Sequence, residues 1–224
     1  MTQRRILAPR TSHPSTSLRA CLAPLLLALA ACDVTGPDRS NRYAFDLQPE
    51  NVVFSWPADR RPVRYFAPDV GPLRAYLQSG IEAWESQLLY GEFEGDVTGD
   101  SAGADVRVVI SGGTPPPATL NGNPPVVACD GSTSAQLATP GQLRGPMTIT
   151  VRWFTGFAPS DIANCLARVT AHEIGHSIGL FQHSPNPGDM MFGVPAVAAP
   201  SARDRSSVQF LYHTKATLLP AARP

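Results

Sequence analysis

Charged residues are scarce in this sequence of 224 residues, and neither sign of charge dominates. They make up 16% of the chain, with 18 basic and 18 acidic residues, so the basic surface typical of a nucleic-acid binder is absent. The sequence also shows no internal repeat. Apolar residues reach 43%, enough for the core of one domain, while plentiful glycine (18) and proline (23) favour a loop-rich fold over a helical bundle.

The N-terminal apolar run, residues 22–31, is too short to cross a membrane. As a helix it would span about 15 Å, whereas the hydrocarbon core of a bilayer is about 30 Å thick. A basic leader precedes it, with Arg4, Arg5, Arg10 and Arg19. We therefore interpret residues 1–31 as an export signal.

The run ends in Leu29-Ala30-Ala31-Cys32, which resembles the lipobox of bacterial lipoproteins. The resemblance implies cleavage before Cys32 and attachment of lipid to its sulfur. The alternative is an ordinary small-residue cleavage site followed by a chance cysteine. We expect an exported protein of the cell envelope, lipid-anchored on the periplasmic or cell-surface side. Residues 32–50 would form a flexible polar tether, and residues 51–224 the folded domain.

Two cysteines, Cys129 and Cys165, lie in the expected domain. Because an exported domain folds in an oxidising compartment, an even pair predicts a disulfide. The alternative is two unpaired, buried thiols.

Apolar periodicity predicts both strands and helices along the domain. We expect strands at residues 52–56, 63–66, 104–110 and 147–154, with a short strand or turn near Gly95. Helices are expected from Pro72 to about Leu88, from Pro159 to a glycine cap at Gly179, and over 202–212. Residues 111–146, rich in proline, glycine, serine and threonine, predict long loops around one short strand near 134–138.

The second predicted helix carries His172, Glu173 and His176. Histidines four residues apart lie on one helix face, where both imidazoles can bind one zinc ion. A glutamate next to the first histidine can face water on that metal without binding the metal itself. The alternative is two solvated histidines on a helix without any metal.

No glutamate follows Glu173, so a downstream glutamate cannot be the third ligand. His183 is the best candidate, because Gly179 would let the chain turn sharply out of the helix and return to the metal. Asp189 is the fallback.

The segment His172-Glu-Ile-Gly-His-Ser-Ile-Gly179, with His183-Ser184 after it, resembles the metzincin zinc peptidases, and the matrixins most closely. Asp189-Met-Met-Phe192 resembles their Met-turn, with Met191 as its methionine, and residues 201–212 resemble the closing helix. The resemblance implies an α+β fold. It would comprise a twisted five-stranded mixed sheet, two long helices, and a small C-terminal subdomain with the closing helix.

The sequence departs from that family in two places. The family pattern puts the third histidine three residues after the glycine, where this chain has Gln182, and His183 comes one residue later. Phe192 stands where some metzincins have a tyrosine near the metal. The sequence also contains no cysteine-switch propeptide.

The resemblance implies a zinc endopeptidase, with one catalytic Zn²⁺ held by His172, His176 and His183. Zinc-activated water would hydrolyse peptide bonds in protein or peptide substrates, with Glu173 as general base. We expect a monomer that contacts the membrane through its lipid anchor. One alternative is a non-hydrolytic, zinc-dependent binding or adhesion lipoprotein, although metal binding alone does not require Glu173. Another is a structural surface lipoprotein without metal.

Overall fold

The computed structural model describes residues 42–43, 53–113, 127–138 and 141–213, all within the unit Asp38–Pro224. The described chain is α+β, with one mixed five-stranded sheet, three α-helices and the short 3-10 helix Ala58–Arg60. The predicted signal, Cys32 and most of the predicted tether lie outside the described residues. Within those residues, no helix has the length and apolarity needed to span a membrane.

The sheet is parallel except at one edge. Its strands are β1 (Val63–Phe66), β2 (Gly95–Thr98), β3 (Val106–Gly113), β4 (Cys129–Ala138) and β5 (Gln142–Phe154). They lie in the order β2-β1-β3-β5-β4, and only β4 runs antiparallel to its neighbour. The edge strand β4 has a bulge between Ser134 and Gln136.

Two long helices, α1 (Leu73–Glu85) and α2 (Pro159–Ser177), pack against each other and against the sheet, and α3 (Ala202–His213) closes the chain. In α1 the buried apolar residues recur at helical spacing: Leu73, Leu77, Ile81 and Trp84. The two helices meet closely at Gly80, where an added Cβ would lie 2.6 Å from Ile174 Cδ1.

The core lies between the sheet and these helices. Alternate residues of β5 are fully buried there, namely Leu143, Met147, Ile149 and Val151. Between them, Thr148 and Thr150 are half-buried and Arg152 is exposed. A sheet with one packed face and one solvated face produces this alternation.

Four sequence expectations about elements were wrong. Residues 129–138 form a long edge strand rather than loops around a short strand, and β5 begins at Gln142 instead of 147. Residues 53–56 form no strand, and only Ser55 makes an isolated bridge, to Gln142. The first helix ends at Glu85, because the chain turns before Leu88.

Tyr43, which the sequence placed in the tether, is buried at 6% exposure. Its hydroxyl donates to Asp204 Oδ1 at 3.0 Å, and its backbone N–H donates to Ser207 Oγ. Both partners lie on α3, so the folded body already includes Tyr43.

Candidate metal centre

Three histidines converge at the C-terminal half of α2. His172 and His176 are one turn apart on this helix, and His183 reaches them from the loop that follows. One nitrogen from each ring lies within 4.8 Å of the other two. Within the described ranges, this is the one group of histidine, cysteine and acidic side chains close enough to hold a metal ion.

Backbone carbonyl groups fix the orientation of the two helical imidazoles. Nδ1 of His172 lies 2.7 Å from the carbonyl oxygen of Met190, and Nδ1 of His176 lies 2.6 Å from that of Leu180. A carbonyl oxygen can only accept, so each Nδ1 must carry the proton. The Nε2 atom of each ring therefore presents a lone pair, as a metal ligand requires.

The turn after α2 brings the third histidine back. Gly179 adopts φ +111°, and an added Cβ would lie 2.2 Å from the carbonyl oxygen of Phe54. The N–H groups of Gly179 and Leu180 donate to the carbonyls of His176 and Gly175, which is the Schellman pattern of a helix C-terminus. The expectation of a glycine cap at Gly179 is confirmed, and this cap places the Leu180 carbonyl against His176.

One pair of these nitrogens has the spacing of two ligands on a tetrahedral metal ion. Nε2 of His176 and Nε2 of His183 lie 3.2 Å apart. Two nitrogens bound to one zinc ion at 2.0–2.1 Å in tetrahedral geometry lie about 3.3 Å apart. The donor set of three neutral imidazoles also suits zinc.

Burial keeps the imidazoles neutral. It lowers the pKa of His172 to about 4 and that of His176 to about 3. It also lowers the pKa of His183, which is more exposed. Metal ions bind the neutral ring, so the protein prepares its ligands by making protonation unfavourable.

Glu173 is buried on the same helix, at 3% exposure. Burial raises the pKa of its carboxyl to about 7, although a hydrogen bond from Thr133 opposes the shift. The Thr133 hydroxyl lies 2.7 Å from Oε2 of Glu173. A cation nearby would favour the charged carboxylate.

A buried loop supports the metal centre from the C-terminal side. The side chains of Met191 and Trp84 pack against Gly175. A Cβ added to Gly175 would lie only 2.3 Å from the sulfur of Met191. Asp204 is fully buried and accepts the N–H groups of Met190 and Ser201 at 2.7 and 2.8 Å. The loop that carries the carbonyl partner of His172 is thus held by α3.

Asp189, the fallback ligand, lies outside the histidine group. Its carboxylate accepts from the hydroxyls of Ser184 and Ser201 and forms an ion pair with Arg203. Since the N–H of Ser184 also donates to the carbonyl of Met191, Asp189 helps to hold the loop beside His183. The third histidine of the group is His183, one residue beyond Gln182.

Cys129 on β4 and Cys165 on α2 form a disulfide. The bridge joins the edge strand to the helix that carries the two histidines and Glu173. The loop that it closes spans 36 residues of sequence.

Sequence reasoning missed the polar groups that support the site. Thr133 fell in the segment interpreted as loops, and Asp204 was seen only as part of the closing helix. The carbonyls of Met190 and Leu180 carry no sequence signal, because every residue has one. No protein-family model matches the chain, and no curated protein matches it either.

Proposed function

We propose that this protein is a zinc-dependent endopeptidase of the metzincin type, acting on peptide bonds of protein substrates. The observation that supports this most is the convergence of three neutral imidazoles beside a buried glutamate. The mixed sheet with one antiparallel edge strand, the two long helices and the closing helix agree with the same proposal.

Zinc is the proposed metal, held by His172, His176 and His183. Three protein ligands leave a coordination position open, as catalytic zinc sites do, whereas structural sites are closed by four. Bound there, zinc would act as a Lewis acid that polarises a carbonyl and makes water more acidic.

Glu173 would act as the general base. Its carboxylate takes a proton from the attacking water and delivers it to the departing amine. The group must first accept the proton and then release it, and a zinc ion bound nearby would keep Glu173 in the carboxylate form that accepts the proton. His172 and His176 hold their Nδ1 protons on carbonyl groups and so take no part in this exchange.

The proposal is tested on the purified protein by metal analysis together with digestion of casein or gelatin, with and without a chelator. We expect about one zinc ion per chain, with proteolysis that the chelator abolishes and added zinc restores. Glu173→Gln should keep the zinc and lose roughly 10²–10⁴-fold in turnover. Glu82→Gln, at an exposed position on α1, is the matched control and should stay active.

Zinc binding without hydrolysis of any peptide would contradict the peptidase and favour the non-hydrolytic binding lipoprotein. Absence of bound zinc would contradict both proposals.

A further inference from the structure

Strand β4 and helix α2 run side by side in the same direction. Residues two apart on the strand meet residues four apart on the helix. Cys129 is bonded to Cys165, an added Cβ on Gly131 would lie 2.6 Å from Val169, and Thr133 bonds to Glu173.

This alignment follows from the dimensions of the two elements. Two strand residues advance by about 6.6 Å and four helical residues by about 6.0 Å. The two repeats therefore stay in step over the three contacts. The disulfide lies at one end of this row of three contacts, and Glu173 lies at the other end.

Thr133 makes the last contact through its hydroxyl group. The hydroxyl oxygen lies 2.7 Å from Oε2 of Glu173 and 3.1 Å from its backbone carbonyl oxygen. A hydroxyl has one hydrogen to donate, and the carboxylate is both the nearer and the stronger acceptor.

Gly131 provides the space beside this contact. A Cβ at this position would lie 2.6 Å from Oε1 of Glu173 and 2.8 Å from its Cγ. Any side chain there would displace the carboxylate.

We infer that Thr133 is a positioning residue for the general base. Its hydroxyl holds Oε2 of Glu173, so Oε1 is the oxygen that takes the proton from water and returns it to the amine. The inference rests on the proposed peptidase function. It adds one residue of the edge strand β4 to the proposed catalytic residues on α2.

The kinetic test compares Thr133→Val, which keeps the shape and loses the hydroxyl, with Thr133→Ser, which keeps the hydroxyl. In the full chain, purified as the cell processes it, Thr133→Val should lower kcat about 10- to 100-fold, the cost of a misplaced catalytic group. KM and zinc content should stay unchanged. Thr133→Ser should restore kcat to within about threefold of wild type, and Ser132→Val, exposed on the same strand, should match wild type.

A second test uses the metal-free protein and needs no activity. Thr133→Val should raise the unfolding equilibrium constant about tenfold in the wild-type background, because it removes the partner of a buried carboxyl group. In a Glu173→Ala background the same substitution should change that constant less, by no more than about threefold, because the hydroxyl there keeps only its backbone carbonyl acceptor.

The two tests distinguish the possible failures. Equal effects of Thr133→Val in both backgrounds would overturn the coupling, even if the protein hydrolyses no substrate. An active wild type whose kcat is unchanged by Thr133→Val would overturn the positioning role and leave the proposed peptidase intact.

Discussion

The two helical imidazoles of the metal centre depend on carbonyl groups that lie outside the regular helix. His176 donates to Leu180 just beyond the helix cap, and His172 donates to Met190 in the loop that α3 holds. Local backbone geometry at two places therefore decides which nitrogen of each ring is left free to bind a metal ion. His183 has a different support, since it comes from an exposed position in the returning loop.

His183 should therefore be essential for the metal but dispensable for the fold. His183→Ala removes one of three ligands, and we expect zinc affinity to fall at least 100-fold while the unfolding midpoint of the metal-free protein changes little. His213→Ala, a histidine on α3 paired with Glu92, is the control and should bind zinc as the wild type does. Competition with a chelating dye measures both affinities. Unaltered zinc affinity in His183→Ala would remove this residue from the site.

The buried carboxyl of Glu173 should make the metal-free protein less stable as the pH rises. Its pKa in the folded state is about 7, above the value of about 4.5 for an exposed glutamate. A raised pKa means that the folded state binds the proton more tightly than the unfolded state. The stabilisation of the folded state by this bound proton is complete below about pH 4.5 and is lost as the pH rises through 7.

Glu173→Gln removes this dependence. Its stability relative to wild type should improve between pH 5 and pH 8 by up to about 3 kcal/mol in the metal-free protein. Urea unfolding at the two pH values measures the difference. With zinc bound, the gain should shrink, because a nearby dication favours the carboxylate. A difference that does not vary with pH in the metal-free protein would contradict the raised pKa.

The residues whose chemistry is specific could be identified from the sequence. Helix geometry alone places His172 and His176 on one face, with Glu173 next to them. Their proximity could therefore be predicted from their spacing in the sequence. Thr133 could not be identified in this way, since its partner is 40 residues away and reaches it only through strand packing.

Among the elements, β4 was the least predictable. Five of its six residues from Gly131 to Gln136 are small or hydroxylated, and its apolar alternation is weak because it is an edge strand. By contrast, α1 and α2 were predictable from apolar spacing, and Gly179 marked where α2 ends. What makes β4 a strand is the long pairing with β5, which no local signal reports.

The disulfide should hold β4 against α2. Replacing Cys129 and Cys165 together by alanine should cost roughly 3–4 kcal/mol of stability, from the freedom that the unfolded chain gains. Activity should fall further than zinc binding does, because the histidines lie on α2 and the loop after it, whereas Thr133 lies on β4. Urea unfolding, zinc content and peptide hydrolysis measure the three effects. Two free thiols in freshly purified wild-type protein, seen by mass spectrometry without reduction, would contradict the bridge.

At the scale of the whole molecule, Tyr43 already packs into the folded domain, although it precedes the first strand. Its contact with Asp204 ties the N-terminal segment to the same carboxylate that holds the loop behind His172. The α+β class and the mixed sheet could be expected from the resemblance to metzincins, but the docking of Tyr43 could not. A single aromatic residue in a polar segment gives no sign of the pocket that receives it.

The position of Tyr43 also limits where the proposed enzyme can work. Nine residues lie between Cys32 and Arg42, and the ten Cα–Cα steps that join these two residues span at most about 35 Å. If Cys32 carries lipid, Arg42 stays within that distance of the membrane. We therefore propose that substrates are met at the surface of the cell envelope.

The proposed lipid anchor is tested by Cys32→Ser. Because the lipid would be attached to the sulfur of Cys32, the variant should leave the membrane fraction or accumulate with its signal uncleaved. Cys21→Ser, in the same leader, is the matched control and should fractionate with the wild type. Fractionation of cells and the intact mass of the N-terminal peptide measure the outcome. A Cys32→Ser protein that stays in the membrane with an unchanged N-terminal mass would show that this cysteine carries no lipid. The short-tether argument would then fail with it, while the candidate metal centre and the proposed role of Glu173 would be unaffected.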